Sequence, residues 1–212
     1  MSSDFANIRL KTRQNTLSLK EKIIHESLRL FSLKGFLGTS LQDILSATGT
    51  AKGGFYNHFR SKEDLFYSVL DEARRTWRTK NLAGLDEIDD PVGKIIKLLQ
   101  NFRDQYLVDS VDFPGGCVFI TLSVELNDQR PHLSQEITKG FVGLKNMIHK
   151  LLDQGKETGK LNINLDSSVA TEILFAGMLG ASVIFGVDKS ADSLEQSINA
   201  LTSYVTGLKE SV

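Results

Sequence analysis

One short stretch of the chain combines glycines, a lysine and hydrogen-bonding aromatic side chains at a spacing that suits phosphate binding. Residues 39–59 read TSLQDILSATGTAKGGFYNHF. A pair of glycines follows Lys52 at the start of a predicted short helix, where bare N–H groups and the helix dipole favour anions. Tyr56 and His58 follow, and their side chains can reach phosphate oxygens or base edges. The stretch therefore predicts a surface that approaches a polyanion closely.

Two short helices joined by a glycine turn must position these residues. Gly49 permits the positive φ of a tight reversal, and the flanking helices have helix-turn-helix proportions. Either Thr39 with Gln42 or Ser40 with Asp43 forms a capping box at the start of the first of these helices.

Length and composition limit the class of protein. The chain has 212 residues, of which 41% are hydrophobic, and a single cysteine. This is enough chain to bury a core without disulfides, and one cysteine excludes an intrachain disulfide and a cysteine-rich metal site. No run approaches the roughly 20 apolar residues of a membrane span, and the polar N-terminus lacks the apolar region of a signal peptide. We expect a cytoplasmic protein without a metal, a cofactor or a membrane partner.

The net charge of −1 conceals an uneven distribution of charge along the chain. Residues 1–80 carry 14 Lys and Arg against 8 Asp and Glu, whereas residues 81–212 carry 11 against 18. A basic first third is expected where that part contacts a polyanion, although chance partition of surface charge is the alternative. Residues 1–17 form a basic arm with Arg9, Lys11 and Arg13, and such arms can enter a minor groove.

Helical periodicity covers nearly the whole chain and predicts an all-α protein of about nine helices. Four helices are expected before residue 84, with a long fourth helix capped by Ser61. Five more are expected near residues 91–109, 115–128, 132–157, 166–186 and 190–209.

The run from Ile23 to Phe66 resembles the N-terminal domain of TetR-family transcriptional regulators. The matching segments are LF at 30–31, KGF at 34–36, TSLQDI at 39–44, KGGFYNHF at 52–59 and SKEDL at 61–65. The chain departs from the family at Thr50 and Ala51, where Val and Ser are common. Ala51 has no capping oxygen, so Thr50 is an alternative cap for the following helix.

The resemblance implies a domain organisation and a mechanism. It places a helix-turn-helix DNA-binding domain at 18–64, with the reading motif at about 40–59, and an effector-binding and dimerisation domain at 65–212. Most members are homodimeric repressors that leave a palindromic DNA operator when a small effector binds. The DNA contacts that it implies are Thr39, Ser40, Thr50, Lys52, Gly53, Tyr56, His58 and Lys62.

The last two predicted helices offer candidate residues for a dimer interface. One carries small residues that would let another helix approach: Gly177, Gly180 and Ala181, together with Ile184. The other carries a heptad-like seam of Leu194, Ile198, Leu201, Val205 and Leu208. Two such helices from each chain would form a four-helix interface. Ordinary core packing within one chain is the alternative.

Candidate residues for the effector pocket are apolar and aromatic, which favours a neutral, hydrophobic or aromatic effector. They are Trp77, Phe102, Tyr106, Phe113, Cys117, Phe119, Phe141, Met147, Phe175 and Met178. Each could equally be a plain core residue.

Cys117 supports an alternative mechanism, because it follows PGG at 114–116 and starts a predicted helix, where a thiol loses its proton more readily. The segment from Gly116 to Glu125 resembles a subgroup of the family in which some members sense electrophiles or oxidants through a cysteine. Cys117 could instead serve only in packing, and the chain could be a DNA-binding protein with no small ligand. No nucleophile elbow, Walker loop or dinucleotide fingerprint is present, so we do not expect an enzyme.

Overall fold

The computed structural model describes residues 17–108 and 111–209, and these residues form nine α-helices without a strand. The all-α prediction is thus confirmed. Arg9, Lys11 and Arg13 lie outside the described residues. The helices are α1 Leu19–Lys34, α2 Leu41–Thr48, α3 Lys52–Tyr56, α4 Lys62–Asn81, α5 Pro91–Asn101, α6 Val118–Leu126, α7 Pro131–Glu157, α8 Ser167–Asp188 and α9 Ala191–Gly207. A 3₁₀ turn at Leu85–Glu87 precedes α5, and a π-helix at Phe102–Leu107 continues it.

The chain divides into two compact units. The head unit contains the described residues up to Thr76 and those of 109–134, and the body unit contains 77–108 and 135–209. The head unit is therefore larger than residues 18–64, because it includes most of α4 and all of α6. The functional division at residues 64 and 65 stays a prediction.

The core of the head unit contains aromatic side chains of α1, α3 and α4 and of the connections between the helices. Phe36 lies edge-on to both Phe31 and Phe66, with ring centroids 5.4 Å apart in each pair. Phe55 and Phe59 are buried as well. Such edge-to-face contacts add to the stabilisation that burial of the rings provides. The core thus fixes α3 against the longer helices.

The body unit is organised around α8 and α9, which pack against each other, and α5, which packs against α9. Asp90 caps α5 through the N–H of Val92, and Asp166 caps α8 through the N–H groups of Ser168 and Val169. These local bonds satisfy N–H groups that have no partner inside a helix.

The apolar character of α8 corrects one expectation. The sequence was expected to contain no segment resembling a membrane span, yet Ser167–Asp188 is long enough and apolar enough to cross one, with a mean hydropathy of 1.8. Valine, isoleucine, leucine, phenylalanine and alanine account for this value, and Glu172 is the one ionisable residue between the ends of the helix. Only a third of that apolar window is buried within the subunit. Length and composition alone are weak signs of a membrane helix, because a core helix of a water-soluble protein meets the same criteria.

Candidate nucleic-acid interface

The start of α2 is fixed by a capping box. The hydroxyl of Ser40 accepts a hydrogen bond from the N–H of Asp43 at 3.0 Å and donates to the Asp43 carboxylate at 2.7 Å. The N–H of Ser40 donates to the same carboxylate at 2.8 Å. These bonds, with help from Lys34, lower the pKa of Asp43 to about 2. Of the two capping boxes that the sequence allows, Ser40 with Asp43 is the one that forms.

The tight turn and α3 follow directly. Gly49 adopts the left-handed conformation with φ 66°, as expected for a glycine that ends a helix. Ala51 is the N-cap of α3 and provides no side-chain bond, so Thr50 does not replace it as the cap. Lys52, Tyr56 and His58 are all exposed, and Tyr56 keeps 53% of its surface accessible. Three of the predicted DNA contacts, on α3 or directly after it, are therefore accessible.

The two glycines of α3 differ in their surroundings. Among the described residues, a Cβ on Gly53 would meet nothing within 4 Å, whereas one on Gly54 would overlap the hydroxyl of Thr50. Glycine near the start of a helix loses backbone freedom on folding that alanine does not lose. Packing within the head unit explains Gly54 but not Gly53. A partner that approaches the α3 backbone closely would explain Gly53.

Two of the predicted DNA contacts have other roles in the structure. The side chain of Thr39 is fully buried and its hydroxyl donates to the carbonyl of Gly35 at 2.7 Å. The ammonium of Lys62 donates to the carbonyls of Phe36 and Thr39, at 2.8 and 2.7 Å. Burial lowers the pKa of Lys62, although the negative charge of Glu125 acts in the opposite direction. Both side chains hold the α1–α2 connection, and a contact of either side chain with DNA stays a prediction.

A residue that the sequence did not single out contacts the same connection, residues 35–39, which we call the anchor loop. The carboxylate of Glu125 on α6 accepts hydrogen bonds from the N–H groups of Phe36 at 2.6 Å and Leu37 at 2.9 Å. Because the partners are almost 90 positions apart, no local pattern in the sequence marks this contact.

The seam on α9 is buried inside the subunit. Leu194, Ile198, Leu201 and Val205 each keep 8% or less of their surface exposed, and Leu208 is half-buried. A Cβ on Gly177 would overlap the side chain of Leu201. The heptad spacing of α9 thus serves packing inside the same chain, where α9 contacts both α8 and α5, and these four buried residues are not available to a partner. Ala181 is buried as well.

The accessible apolar surface lies on α8 instead. We call it the α8 stripe: Val169, Ile173, Ala176, Gly180, Val183, Ile184 and Val187. Its five large side chains are 42–83% exposed, and a Cβ on Gly180 would meet nothing within 4 Å. A row of this kind on one helix face is unusual for a surface that stays in water. Of the predicted interface residues, Gly180 and Ile184 belong to it.

The predicted effector residues are distributed over both units. In the body unit Phe102 stacks on Tyr106 with centroids 5.7 Å apart, and Phe141 lies edge-on to Phe175 at 5.6 Å. Met178 is buried, while Trp77 and Met147 are half-buried. Phe113, Cys117 and Phe119 belong to the head unit, and Cys117 is the half-buried N-cap of α6.

Buried amides accompany the aromatic side chains of the body unit. The side-chain amide of Asn101 donates to the carbonyls of Asn81 and Ala83, at 3.0 and 2.8 Å, and its oxygen accepts from Gln105 at 3.2 Å. The side-chain oxygen of Asn81 is buried without a hydrogen-bond donor among the described residues. An acceptor in this state would bind a donor group of a neutral ligand or a water molecule. These amides were not among the predicted effector residues.

An open groove of about 430 Å³ lies along α7, and it differs from the predicted pocket. Polar side chains line it: Asn146, His149, Lys150, Asp153, Gln154 and Glu157. None of the predicted effector residues contributes to this lining.

Comparison with known families gives two matches along the chain. Residues 23–69 match the family of bacterial regulatory proteins called tetR, and residues 91–201 match the tetracyclin repressor-like C-terminal domain. The HTH-type transcriptional repressor DhaR of Mycobacterium sp. (strain GP1) is 25% identical over 183 residues, which cover 86% of this chain and 90% of DhaR.

Solved structures agree with these matches. A TetR transcriptional regulator from Chloroflexus aurantiacus J-10-FL superimposes with a TM-score of 0.82 and 29% identity, covering 90% of this chain and 96% of that one. AibR, solved in complex with isovaleryl coenzyme A and operator DNA, gives a TM-score of 0.68 at 18% identity over 88% of this chain and 97% of AibR, which is a likeness of fold.

Proposed function

The chain belongs to the TetR family of bacterial regulatory proteins, and from this premise we propose that it represses transcription as an operator-bound homodimer. In this proposal the head unit binds DNA, the α8 stripe pairs two subunits, and a small effector lowers the affinity for the operator. The protein acts in the cytoplasm, where its DNA is.

The surface of α3 carries the proposal. Lys52, Tyr56 and His58 are all exposed on or directly after α3, and among the described residues nothing explains the missing side chain of Gly53. A lysine and helix N–H groups suit phosphate oxygens, and aromatic or imidazole side chains suit phosphate or base edges. Ser40 adds an exposed hydroxyl at the start of α2. Gly53 lets the backbone of α3 approach the duplex.

A second copy of the chain is the proposed partner of the α8 stripe. A two-fold dimer places two head units on the two half-sites of a palindromic operator, which are one helical turn apart. Hydrocarbon side chains that are exposed in one subunit become buried between two, and this burial stabilises the dimer. It also accounts for a helix that is apolar on both its inner and outer faces.

The effector in this proposal is a small, largely neutral molecule that enters the body unit. The aromatic pairs of the body unit offer apolar contacts, and the side-chain oxygen of Asn81 offers an acceptor for a donor group of the ligand. AibR, a relative in fold, was solved with both isovaleryl coenzyme A and operator DNA. By linkage, the effector and the operator weaken each other's binding by the same factor.

Operator selection from genomic and random DNA with the purified protein tests the proposal. We expect one palindromic site that is bound at least about 10³-fold more tightly than random DNA. Tyr56→Ala and Lys52→Ala should weaken this binding, whereas Tyr67→Ala, which removes an exposed tyrosine of α4, should not. Failure to enrich any site, or equal affinities for all variants, would refute the assignment of α3 as the reading helix.

Two narrower hypotheses are decided by further measurements. Thiol labelling of the native protein tests electrophile or redox sensing through Cys117, and no reaction over hours would exclude it. A selected operator that no metabolite releases would favour a DNA-binding protein without a small ligand.

A further inference from the structure

The contact between α6 and the anchor loop has no role in the function proposed for α3 and α8. One oxygen of the Glu125 carboxylate accepts from the N–H of Phe36 at 2.6 Å, and the other from Leu37 at 2.9 Å and Gly38 at 3.4 Å. Successive backbone N–H groups that converge in this way form a nest for an anion. In the head unit the anion is a side chain of α6.

The carbonyl groups of the anchor loop are bound from α4. The ammonium of Lys62 contacts the carbonyls of Phe36 and Thr39 and lies 4.3 Å from the centroid of the Phe36 ring. Hydrogen bonds to ionised side chains are roughly twice as strong as those between neutral groups. The loop is thus held by a carboxylate at its N–H groups and an ammonium at its carbonyls.

The position of the anchor loop determines where α2 begins. The loop ends at Thr39, and the next residue, Ser40, is the N-cap of α2. The turn at Gly49 then leads directly into α3. A displacement of the loop would therefore displace the two helices of the reading motif.

The segment before α6 is attached to α1 as well. The hydroxyl of Ser32 accepts from the N–H of Gly115 at 2.9 Å and donates to the carbonyl of Gly116 at 3.3 Å. A Cβ on Gly115 would overlap the backbone of Ser32. Both ends of α6 are therefore coupled to α1 and the loop that follows it.

We propose that Glu125 is a positioning residue for operator binding, which holds the anchor loop and thereby orients α2 and α3 for the DNA. The inference rests on the proposed function. Glu125 does not touch DNA in this mechanism. A shift of α6 that withdraws the carboxylate from the three N–H groups releases the loop and lowers operator affinity.

The direction in which a substitution of Glu125 changes operator affinity separates a positioning role from a purely electrostatic one. Glu125→Gln removes a negative charge from a DNA-binding protein, which by itself strengthens attraction to phosphate. If Glu125 positions the loop, the same substitution weakens binding, because an amide replaces one acceptor oxygen with a donor that faces N–H groups. Asp128→Asn is the matched control, since it makes the same change of charge at an exposed site outside the loop.

Operator titrations of both variants test the proposal. We expect Glu125→Gln to raise the Kd at least tenfold and Asp128→Asn to leave it unchanged or lower it. For Glu125→Gln, the logarithm of the operator Kd should depend on the logarithm of the salt concentration with the same slope as for the unaltered protein, because no phosphate contact is lost. Hydrogen exchange at Phe36 and Leu37 should accelerate in Glu125→Gln, while the interior of α2 stays protected.

Several outcomes would overturn the role of Glu125. One is an affinity of Glu125→Gln that equals or exceeds that of the unaltered protein, and another is unchanged exchange at the anchor loop. If Glu125→Gln does not fold, Glu125→Asp keeps the charge and shortens the reach, and an unaltered Kd for it would equally overturn the proposal. Absence of operator binding by the unaltered protein would instead refute the proposed function, while the exchange measurement still tests the contact.

Discussion

Two successive helices of the body unit share an apolar periodicity but differ in exposure. The apolar seam of α9 is buried within the subunit, whereas five large apolar residues of α8 are 42–83% exposed. Periodicity shows that a helix has an apolar face, but not what covers it. A face that its own subunit leaves open indicates a partner, and the α8 stripe is such a face.

The same contrast between inward and outward residues occurs in the head unit. Gly54 faces Thr50, and Gly53 faces open space. The hydroxyl of Thr39 is buried, and that of Ser40 is at the surface. In each pair the inward residue is explained by packing or a backbone bond. Only the outward residue is accessible to DNA, and substitutions can test each pair separately.

The largest effect is expected at the inward residue Leu201. Leu201→Asp loses the contacts of a buried leucine, which cost about 2–5 kcal/mol, and buries a carboxylate at a further cost of several kcal/mol. Against a total stability of about 5–15 kcal/mol, the variant should not fold. Circular dichroism would show the loss of helix, and a folded monomer would instead mean that Leu201 lies in the dimer interface.

The outward residue Ile184 should affect assembly without affecting folding. Ile184→Asp places a charge in the α8 stripe, so we expect a helical monomer in sedimentation analysis. Because each head then binds its half-site alone, operator affinity should fall by about 100-fold or more. A dimer that persists at micromolar concentration would move the interface away from α8.

A pair of glycine substitutions tests the reading surface. Gly53→Ala should leave the free energy of unfolding unchanged or raise it by up to about 1 kcal/mol, yet raise the operator Kd about tenfold. Gly54→Ala should lower stability by about 1–3 kcal/mol because it overpacks the contact with Thr50. Equal operator affinities for Gly53→Ala and the unaltered protein would indicate that DNA does not approach this backbone.

The smallest effect concerns acid. The pKa of Asp43 is about 2 in the folded head unit, below its ordinary value of 3.8. Its contribution to stability is therefore complete above about pH 4 and is lost as the pH falls towards 2. Between these values the unaltered protein should lose slightly more stability than Asp43→Asn. Stability is measured against pH for both proteins. If the two curves have the same shape, the capping box does not depend on this charge.

Predictions that rest on neighbouring residues agree with the structure. The capping box of Ser40 and the left-handed turn at Gly49 both depend on spacings of a few residues. Such interactions are determined by residue type and position along one helix or turn, so the sequence contains the information needed to predict them.

Contacts between distant parts of the chain could not be predicted from local patterns. Thr39 and Lys62 are polar residues next to exposed ones, and only the folded head unit shows that they bind the anchor loop. The contact of Glu125 with this loop, almost 90 positions away, lies beyond any local pattern. The seam on α9 could have faced a neighbouring helix or another subunit, since both bury the same hydrocarbon.

The head unit is assembled from two separated stretches of chain, so a ribosome completes the first before it makes the second. A nascent chain that has reached Thr76 contains all the residues of the reading motif but not the carboxylate that binds its anchor loop. At about 5–20 residues per second, Glu125 follows some seconds later. The finished head therefore forms only after α6 has been synthesised, and an N-terminal fragment that ends at Thr76 is an incomplete version of it.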